Sequence, residues 1–156
     1  MKPYPDANIL VRLYLDPDGS GAGFELTQSA QARASWPFPV TTLLRLEVIN
    51  AFRQMVFAAR QAAGQFRVTR ESADAAVASF EADLAAARFL RPTLVSLEEL
   101  EEQFDALSAR HTPRHGFRTY DILHVASALV LGCDTFWSYD KKALKLASLE
   151  GLKTNL

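Results

Sequence analysis

The sequence holds a single cysteine, Cys133, so an internal disulfide and a cysteine-based zinc site are both excluded. Its place beside Leu131 and Gly132 suits a core thiol in a reducing compartment. Long apolar runs are also missing: no segment approaches the roughly 20 apolar residues that a membrane helix needs. The opening Lys2-Pro3-Tyr4-Pro5-Asp6 carries no apolar leader, so the expectation is a cytoplasmic protein that does not engage a membrane. Neither sign of charge dominates, since 17 Lys and Arg face 18 Asp and Glu for a net charge of −1 at pH 7. A polybasic or disordered chain is thereby excluded, and any contact with nucleic acid must come from a local basic patch. Repeats, low-complexity tracts and linkers are absent too. What is present is a 49% hydrophobic composition over 156 residues, enough for the core of one domain spanning 1–156.

Apolar periodicity places the elements. Ile9, Leu10, Leu13 and Tyr14 fall at helical spacing over residues 8–15, with Asn8 able to cap the first turn. The turn formers of 16–21 predict a loop and then another short helix. Pro37 and Pro39 bracket Phe38, after which Val40-Thr41 predicts a brief strand and 43–63 a helix that holds Glu47. Val77, Phe80, Leu84 and Ala87 mark a helix over 70–90, stopped by Pro92, with a strand at Leu94-Val95. Ser96-Leu97-Glu98-Glu99 reads as a capping box ahead of an apolar stripe of Leu97, Leu100, Phe104 and Leu107. Residues 120–131 are apolar almost all round, which predicts a buried central helix. A strand at 136–139, a helix over 140–149 ended by Gly151, and an edge strand at 152–154 complete the chain. Short strands alternating with helices imply an α/β fold with a parallel sheet.

The acidic residues each have a structural explanation. Asp6 and Asp140 can cap helices, and Asp121 lies in a first helical turn, all favourable to the helix dipole. Glu47 differs, because it lies near Leu43, Leu44, Ala51 and Ala58 at the margin of an apolar helix face, where an unpaired carboxylate is costly. Arg45 or Arg12 could pair with it. Taken jointly, Asp6 and Asp140 both leave predicted strands, and a parallel sheet builds its sites at that edge. If Glu47 and Asp121 project there as well, four carboxylates gather, and a bound cation or raised pKa values must relieve the repulsion. All-oxygen ligation selects a hard ion, Mg2+ or Mn2+.

Four segments carry a family resemblance. They are Pro5-Asp6-Ala7-Asn8-Ile9-Leu10-Val11, Thr42-Leu43-Leu44-Arg45-Leu46-Glu47-Val48, Phe117-Arg118-Thr119-Tyr120-Asp121-Ile122-Leu123-His124-Val125-Ala126-Ser127-Ala128, and Phe136-Trp137-Ser138-Tyr139-Asp140-Lys141-Lys142. Together they resemble the PIN-domain family, in particular the VapC-like toxin ribonucleases of type II toxin–antitoxin systems. The resemblance runs over nearly the whole chain. Its most specific part is the Asp-x-x-His-x-Ala-x-Ala element at 121–128, followed by the aromatic-flanked Ser138-Tyr139-Asp140. It implies a three-layer α/β/α fold with a short, mainly parallel central sheet of four to five strands. It further implies Asp6, Glu47, Asp121 and Asp140 as catalytic and metal-site residues, with Asn8 and Ser138 as supporting polar neighbours. The implied activity is metal-dependent endonucleolytic cleavage of RNA, with Asp121 a plausible base. The implied partners are an RNA substrate, a cognate antitoxin and a second copy in a homodimer.

The chain departs from the family pattern at Pro3 and Pro5, which remove two backbone donors from a strand usually apolar throughout. Pairing through one edge only, or a very short strand, accommodates them. His124 shares a helix face with Asp121 but reads first as a histidine bonded to a neighbouring helix. Arg114, Arg118, Lys141 and Lys142, with His115 beside them, could hold RNA phosphates. Leu13, Phe24 and Trp36 could serve the antitoxin or dimer contacts. Two rival readings remain open. One is a PIN scaffold without activity that binds a protein or nucleic acid. The other is a haloacid-dehalogenase-like phosphatase with Asp16 and Asp18 in its nucleophile loop, although no later Asp-Asp pair supplies its metal ligands. The Gly19-x-Gly21-x-Gly23 spacing suggests a nucleotide loop only weakly, since no apolar strand leads into it.

Overall fold

The computed structural model describes residues 1–16, 37–61 and 67–154, together with Gly21, Glu25, Gln28, Ser29 and Ala32. Strand β1 (Pro3–Pro5) runs into helix α1 (Ala7–Val11), and β2 (Phe38–Val40) into the long α2 (Thr42–Gln61). Then come α3 (Arg70–Ala86), β3 (Leu90–Pro92), α4 (Leu97–His115), α5 (Thr119–Val130), β4 (Thr135–Trp137) and α6 (Lys141–Leu149). Short parallel strands among packed helices give the expected α/β class.

The strands are hydrogen-bonded as two pairs, β1 with β4 and β2 with β3, and not as one continuous sheet. The prolines explain the break. Along β1, Asp6 donates its N–H to the Trp137 carbonyl (2.8 Å), and the Lys2 carbonyl accepts from Asp134 (3.1 Å). Residues of that parity face β4, which leaves Pro3 and Pro5 on the opposite edge. Along β2, Phe38 donates to the Phe89 carbonyl (2.6 Å) and the Val40 carbonyl accepts from Thr93 (3.0 Å), leaving Pro39 on its opposite edge. β1 and β2 pack against each other, but a pair of edges presenting prolines has no donor with which to form a ladder. Thus β1 is both very short and bonded along one edge. On the outer side of β4 a single parallel bridge, Thr135 to Lys153, is what exists of the expected edge strand at 152–154.

Several boundaries differ from the sequence expectation. α3 ends at Ala86, because Ala87 adopts a left-handed conformation (φ 51°) that reverses the chain before Pro92 is reached. The freed Leu90 drives into the core at 0% exposure, so the strand forms at Leu90–Pro92 and not at Leu94-Val95, where Leu94 is 91% exposed. The strands expected at Val40-Thr41 and 136–139 both lie slightly earlier, since Thr41 turns to cap α2 through Leu44 N–H (3.1 Å) and Ser138 leaves β4 for side-chain bonds. Asn8 does not cap α1; Asp6 does, accepting from Ala7 N–H at 2.7 Å. Leu97 is exposed, so the stripe of α4 begins with the partly buried Leu100 and Phe104 and deepens at Leu107. The end of the helix expected over 43–63, and the short helix expected after the 16–21 loop, fall partly outside the described residues.

The core centres on Tyr4, Phe38, Phe136 and Trp137, with Tyr4 stacked on Phe136 at 5.8 Å and Phe38 edge-on to Trp137 at 5.4 Å. α5 is buried through Ile122, Val125, Ala126 and Ala128, as its all-round apolarity predicts, and it carries Asp121, His124 and Ser127 inward with it. Cys133 is buried, and desolvation pushes its thiol up to about 12, the inert core residue expected. Among the described residues no helix is long and apolar enough to cross a membrane.

Candidate metal centre

Parallel pairing ends β1 and β4 side by side, so the residues leaving them meet. Asp6 leaves β1 in extended conformation and caps α1 with one oxygen, while its Oδ2 accepts from Ser138 Oγ (2.7 Å) and Asn8 Nδ2 (3.0 Å). Ser138 uses its one proton on Asp6 and accepts from Asn8 Nδ2 (3.0 Å) and Asp140 N–H (2.8 Å). Asn8 in turn accepts from Tyr139 N–H (3.0 Å). These two short polar side chains thus fix the Asp6 carboxylate in place. Asp6 is 8% exposed, and burial raises its pKa against the opposing influence of His124, Ser138 and the Ala7 N–H; the nearby Glu47 adds to the rise.

Glu47 reaches the same place from α2, partly exposed, and the pairing expected with Arg45 or Arg12 is not made. Arg45 forms a two-toothed pair with Glu81 (3.2 and 2.5 Å), and Arg12 lies 4.8 Å over the Tyr139 ring. The partner of Glu47 is His124, through Nε2 to Oε2, while Nδ1 of the same ring meets the Tyr4 hydroxyl at 3.0 Å. Asp6, Glu47 and His124 each offer a ligand atom within 4.8 Å of the others. His124 is thus bonded to a neighbouring helix, as its buried position suggests, and the residue it bonds is one of the four carboxylates. Its spacing three residues after Asp121 on an otherwise apolar helix was the available signal.

The other two carboxylates form a second group. Asp121, buried at 6% exposure, accepts from the Arg118 backbone N–H (3.1 Å) and from its guanidinium Nε (3.2 Å) and Nη2 (3.3 Å). The same Nη2 reaches Asp140 Oδ2 at 2.6 Å. Asp140 caps α6 through Lys142 N–H (2.7 Å) and Ala143 N–H (3.4 Å). Burial alone would raise its pKa, but those N–H groups and Arg118 outweigh it and hold the carboxyl below its ordinary value. All four carboxylates, with Asn8, Arg12, Arg118 and His124, line one cavity of about 410 Å³. Helix capping and cavity lining therefore coexist in Asp6 and Asp140.

Of Arg114, Arg118, Lys141 and Lys142, Arg118 alone lines the cavity. Arg114 and Lys141 are exposed, Lys142 extends its ammonium to the Gly116 carbonyl (3.3 Å), and His115 rests against Phe117 at 5.5 Å. Leu13 is partly buried against the core and does not present an open surface; Phe24 and Trp36 lie outside the described residues. Asp16 accepts from Gly21 N–H (2.8 Å) and follows a turn off α1, where a phosphatase nucleophile would follow a strand; Asp18, Gly19 and Gly23 lie outside the described residues.

No family model matches the chain, and no curated protein does. Among solved structures it is similar to VapC20 of Mycobacterium tuberculosis, described as a toxin that cleaves the sarcin-ricin loop. The two share 17% identity over 96% of this chain and 95% of that one, with a TM-score of 0.63. At that identity the likeness establishes the fold alone: the chain has a PIN-like α/β architecture similar to that of VapC20.

Proposed function

We propose that the chain is a metal-dependent endoribonuclease and the toxin half of a toxin–antitoxin pair, working in the cytoplasm as a homodimer held in check by a cognate antitoxin. The observation that supports this most directly is the convergence of Asp6, Glu47, Asp121 and Asp140 on one cavity in a fold shared with a ribonuclease toxin. The donors suit a divalent ion, since four carboxylates line the cavity and Asp6 and Glu47 offer oxygens within 4.8 Å of one another. Asp6 and Glu47 would hold it on one wall, with Asp121 and Asp140 on the other. Bound there, Mg2+ or Mn2+ supplies Lewis-acid stabilisation of the phosphoryl oxygens and acidifies water.

The remaining work belongs to the chain. Ser138 and Asn8 orient Asp6 without adding charge. Asp121 is the carboxylate we assign to accept the proton of the attacking water, because its place on the buried α5 and its bonds to Arg118 give it a fixed direction. Arg118 balances the acidic cavity and would meet a phosphate there, while Arg114, Lys141 and Lys142 would extend positive charge outside it for the RNA backbone. The test is cleavage of RNA in the presence of Mg2+ or Mn2+. Asp121→Asn should abolish it while circular dichroism and the melting temperature stay close to wild type. Equal cleavage by the variant removes the assigned mechanism. A wild-type protein that binds RNA or an antitoxin but never cleaves identifies an inactive scaffold instead.

A further inference from the structure

Two buried hydrogen bonds run in series from β1 through α5 to α2. Tyr4 is wholly buried and His124 is 3% exposed, on a helix whose neighbouring side chains Val125, Ala126 and Ala128 are apolar. A polar ring in that setting requires partners for both nitrogens, and it has them in the Tyr4 hydroxyl at 3.0 Å and the Glu47 carboxylate. A carboxylate only accepts, so Nε2 carries the proton in the bond to Glu47. In that tautomer Nδ1 is an acceptor, and the Tyr4 hydroxyl at 3.0 Å is the donor facing it. The phenol thereby sets the tautomer with which the imidazole grips Glu47.

Glu47 needs that grip more than the other acids do. Asp6 is held by a backbone N–H and two side chains, and Asp140 by two backbone N–H groups at a helix start. Glu47 sits in the interior of α2, where backbone N–H groups are spent on the helix, and its side chain has three rotatable bonds. Among the described residues, His124 is its one hydrogen-bond partner. We infer that Tyr4 and His124 form a positioning relay that fixes the Glu47 carboxylate at the cation site, with His124 acting as a donor to Glu47 and not as a ligand of the ion. The inference rests on the proposed metal dependence, but its first readout needs no metal.

The experiment uses the full chain labelled with 15N-histidine. In the metal-free protein His124 should show the Nε2–H tautomer by its ring nitrogen shifts, and Tyr4→Phe should give a mixed population. Mn2+ affinity is then read from the EPR signal of the free ion. His124→Leu, which keeps bulk but no donor, should weaken Mn2+ about tenfold or more, the scale of losing a partner that orients a ligand. His124→Gln places an amide N–H toward α2 and should restore affinity to within about threefold of wild type. If His124→Leu does not fold, Tyr4→Phe serves in its place, with a smaller loss of Mn2+ affinity expected. Pulsed EPR of unlabelled, Mn2+-loaded wild type should show no directly bonded 14N. A bonded 14N, an Nδ1–H tautomer, or unchanged Mn2+ affinity in folded His124→Leu or Tyr4→Phe would each overturn the relay. Wild-type protein that shows the tautomer and the Mn2+ dependence yet cuts no RNA refutes the nuclease reading and leaves the relay standing.

Discussion

Replacing Arg118 by Gln removes the one guanidinium that joins the two carboxylates on the far wall of the cavity. Arg118 reaches Asp121 at 3.2 and 3.3 Å and Asp140 at 2.6 Å, while its own side chain is 64% exposed. Solvent screens pairs of that exposure, and each contributes about 0.2–1 kcal/mol. Two of them together hold the cation-free cavity by roughly 1 kcal/mol. A divalent ion drawing on Asp121 and Asp140 must compete with those contacts. Without the guanidinium the same carboxylates are free, so Mn2+ should bind about fivefold more tightly, since about 1.4 kcal/mol corresponds to tenfold. Stability without metal should fall by a similar amount. The Arg118 backbone N–H still bonds Asp121 at 3.1 Å, so the start of α5 survives the change. The assay is Mn2+ titration at low salt, followed by free-ion EPR, with a urea melt of the metal-free protein alongside. Raising the salt should shrink the difference between variant and wild type as screening lengths shorten. Unchanged or weaker Mn2+ binding in a folded Arg118→Gln protein would refute the competition.

Saturating wild type with Mg2+ or Mn2+ at about 100 times Kd should add roughly 2.7 kcal/mol of stability, a rise of about 5–10 °C in Tm for a domain of this size. The absence of any shift counts against the carboxylate site. Burial alone would raise the pKa of Glu150, yet bonds from His111 (2.5 Å) and Arg110 (2.7 Å) outweigh it and hold the carboxyl below its ordinary value. A lowered carboxylate contributes stability above its unfolded pKa, near about 4.3, and loses it as pH falls through the folded value. Glu150→Gln should therefore reduce the urea midpoint at pH 7, and the gap to wild type should close as the pH falls through the lowered folded value; a gap that stays constant into acid refutes the linkage. Phe80 is fully buried, edge-on to Tyr14 at 5.7 Å and Phe52 at 6.2 Å, so Phe80→Ala should cost about 3–5 kcal/mol in chemical denaturation.

The parts of this structure that follow from local chemistry were legible in the chain. The burial of α5 and the capping of α6 by Asp140 are written in neighbouring residues, as is the confinement of β1 pairing to one edge by Pro3 and Pro5. What local pattern could not supply was partner choice across the fold. Arg45 is two residues from Glu47 in sequence, yet it turns to Glu81 on α3, while Glu47 faces a histidine 77 positions away. Arg118 was legible as a basic residue near the cavity; that it would be shared between Asp121 and Asp140 depended on how α5 and α6 meet. The strand at Leu90–Pro92 was misplaced because an alanine, Ala87, takes the left-handed turn that a glycine would have announced.

The proline-lined contact between β1 and β2 makes the centre of the molecule a mechanical seam. Asp6 and the Ser138-to-Asp140 turn belong to the hydrogen-bonded unit on one side, and Glu47 rides on the helix that leaves β2 on the other. Rings such as Phe38 on Trp137 resist pulling the halves apart, but sliding them breaks no backbone hydrogen bond. The gap between Asp6 and Glu47 is therefore not locked to the roughly 4.8 Å step of a sheet. Across that seam the spacing of Asp6 and Glu47 is set by side chains, the Tyr4–His124 and His124–Glu47 bonds among them.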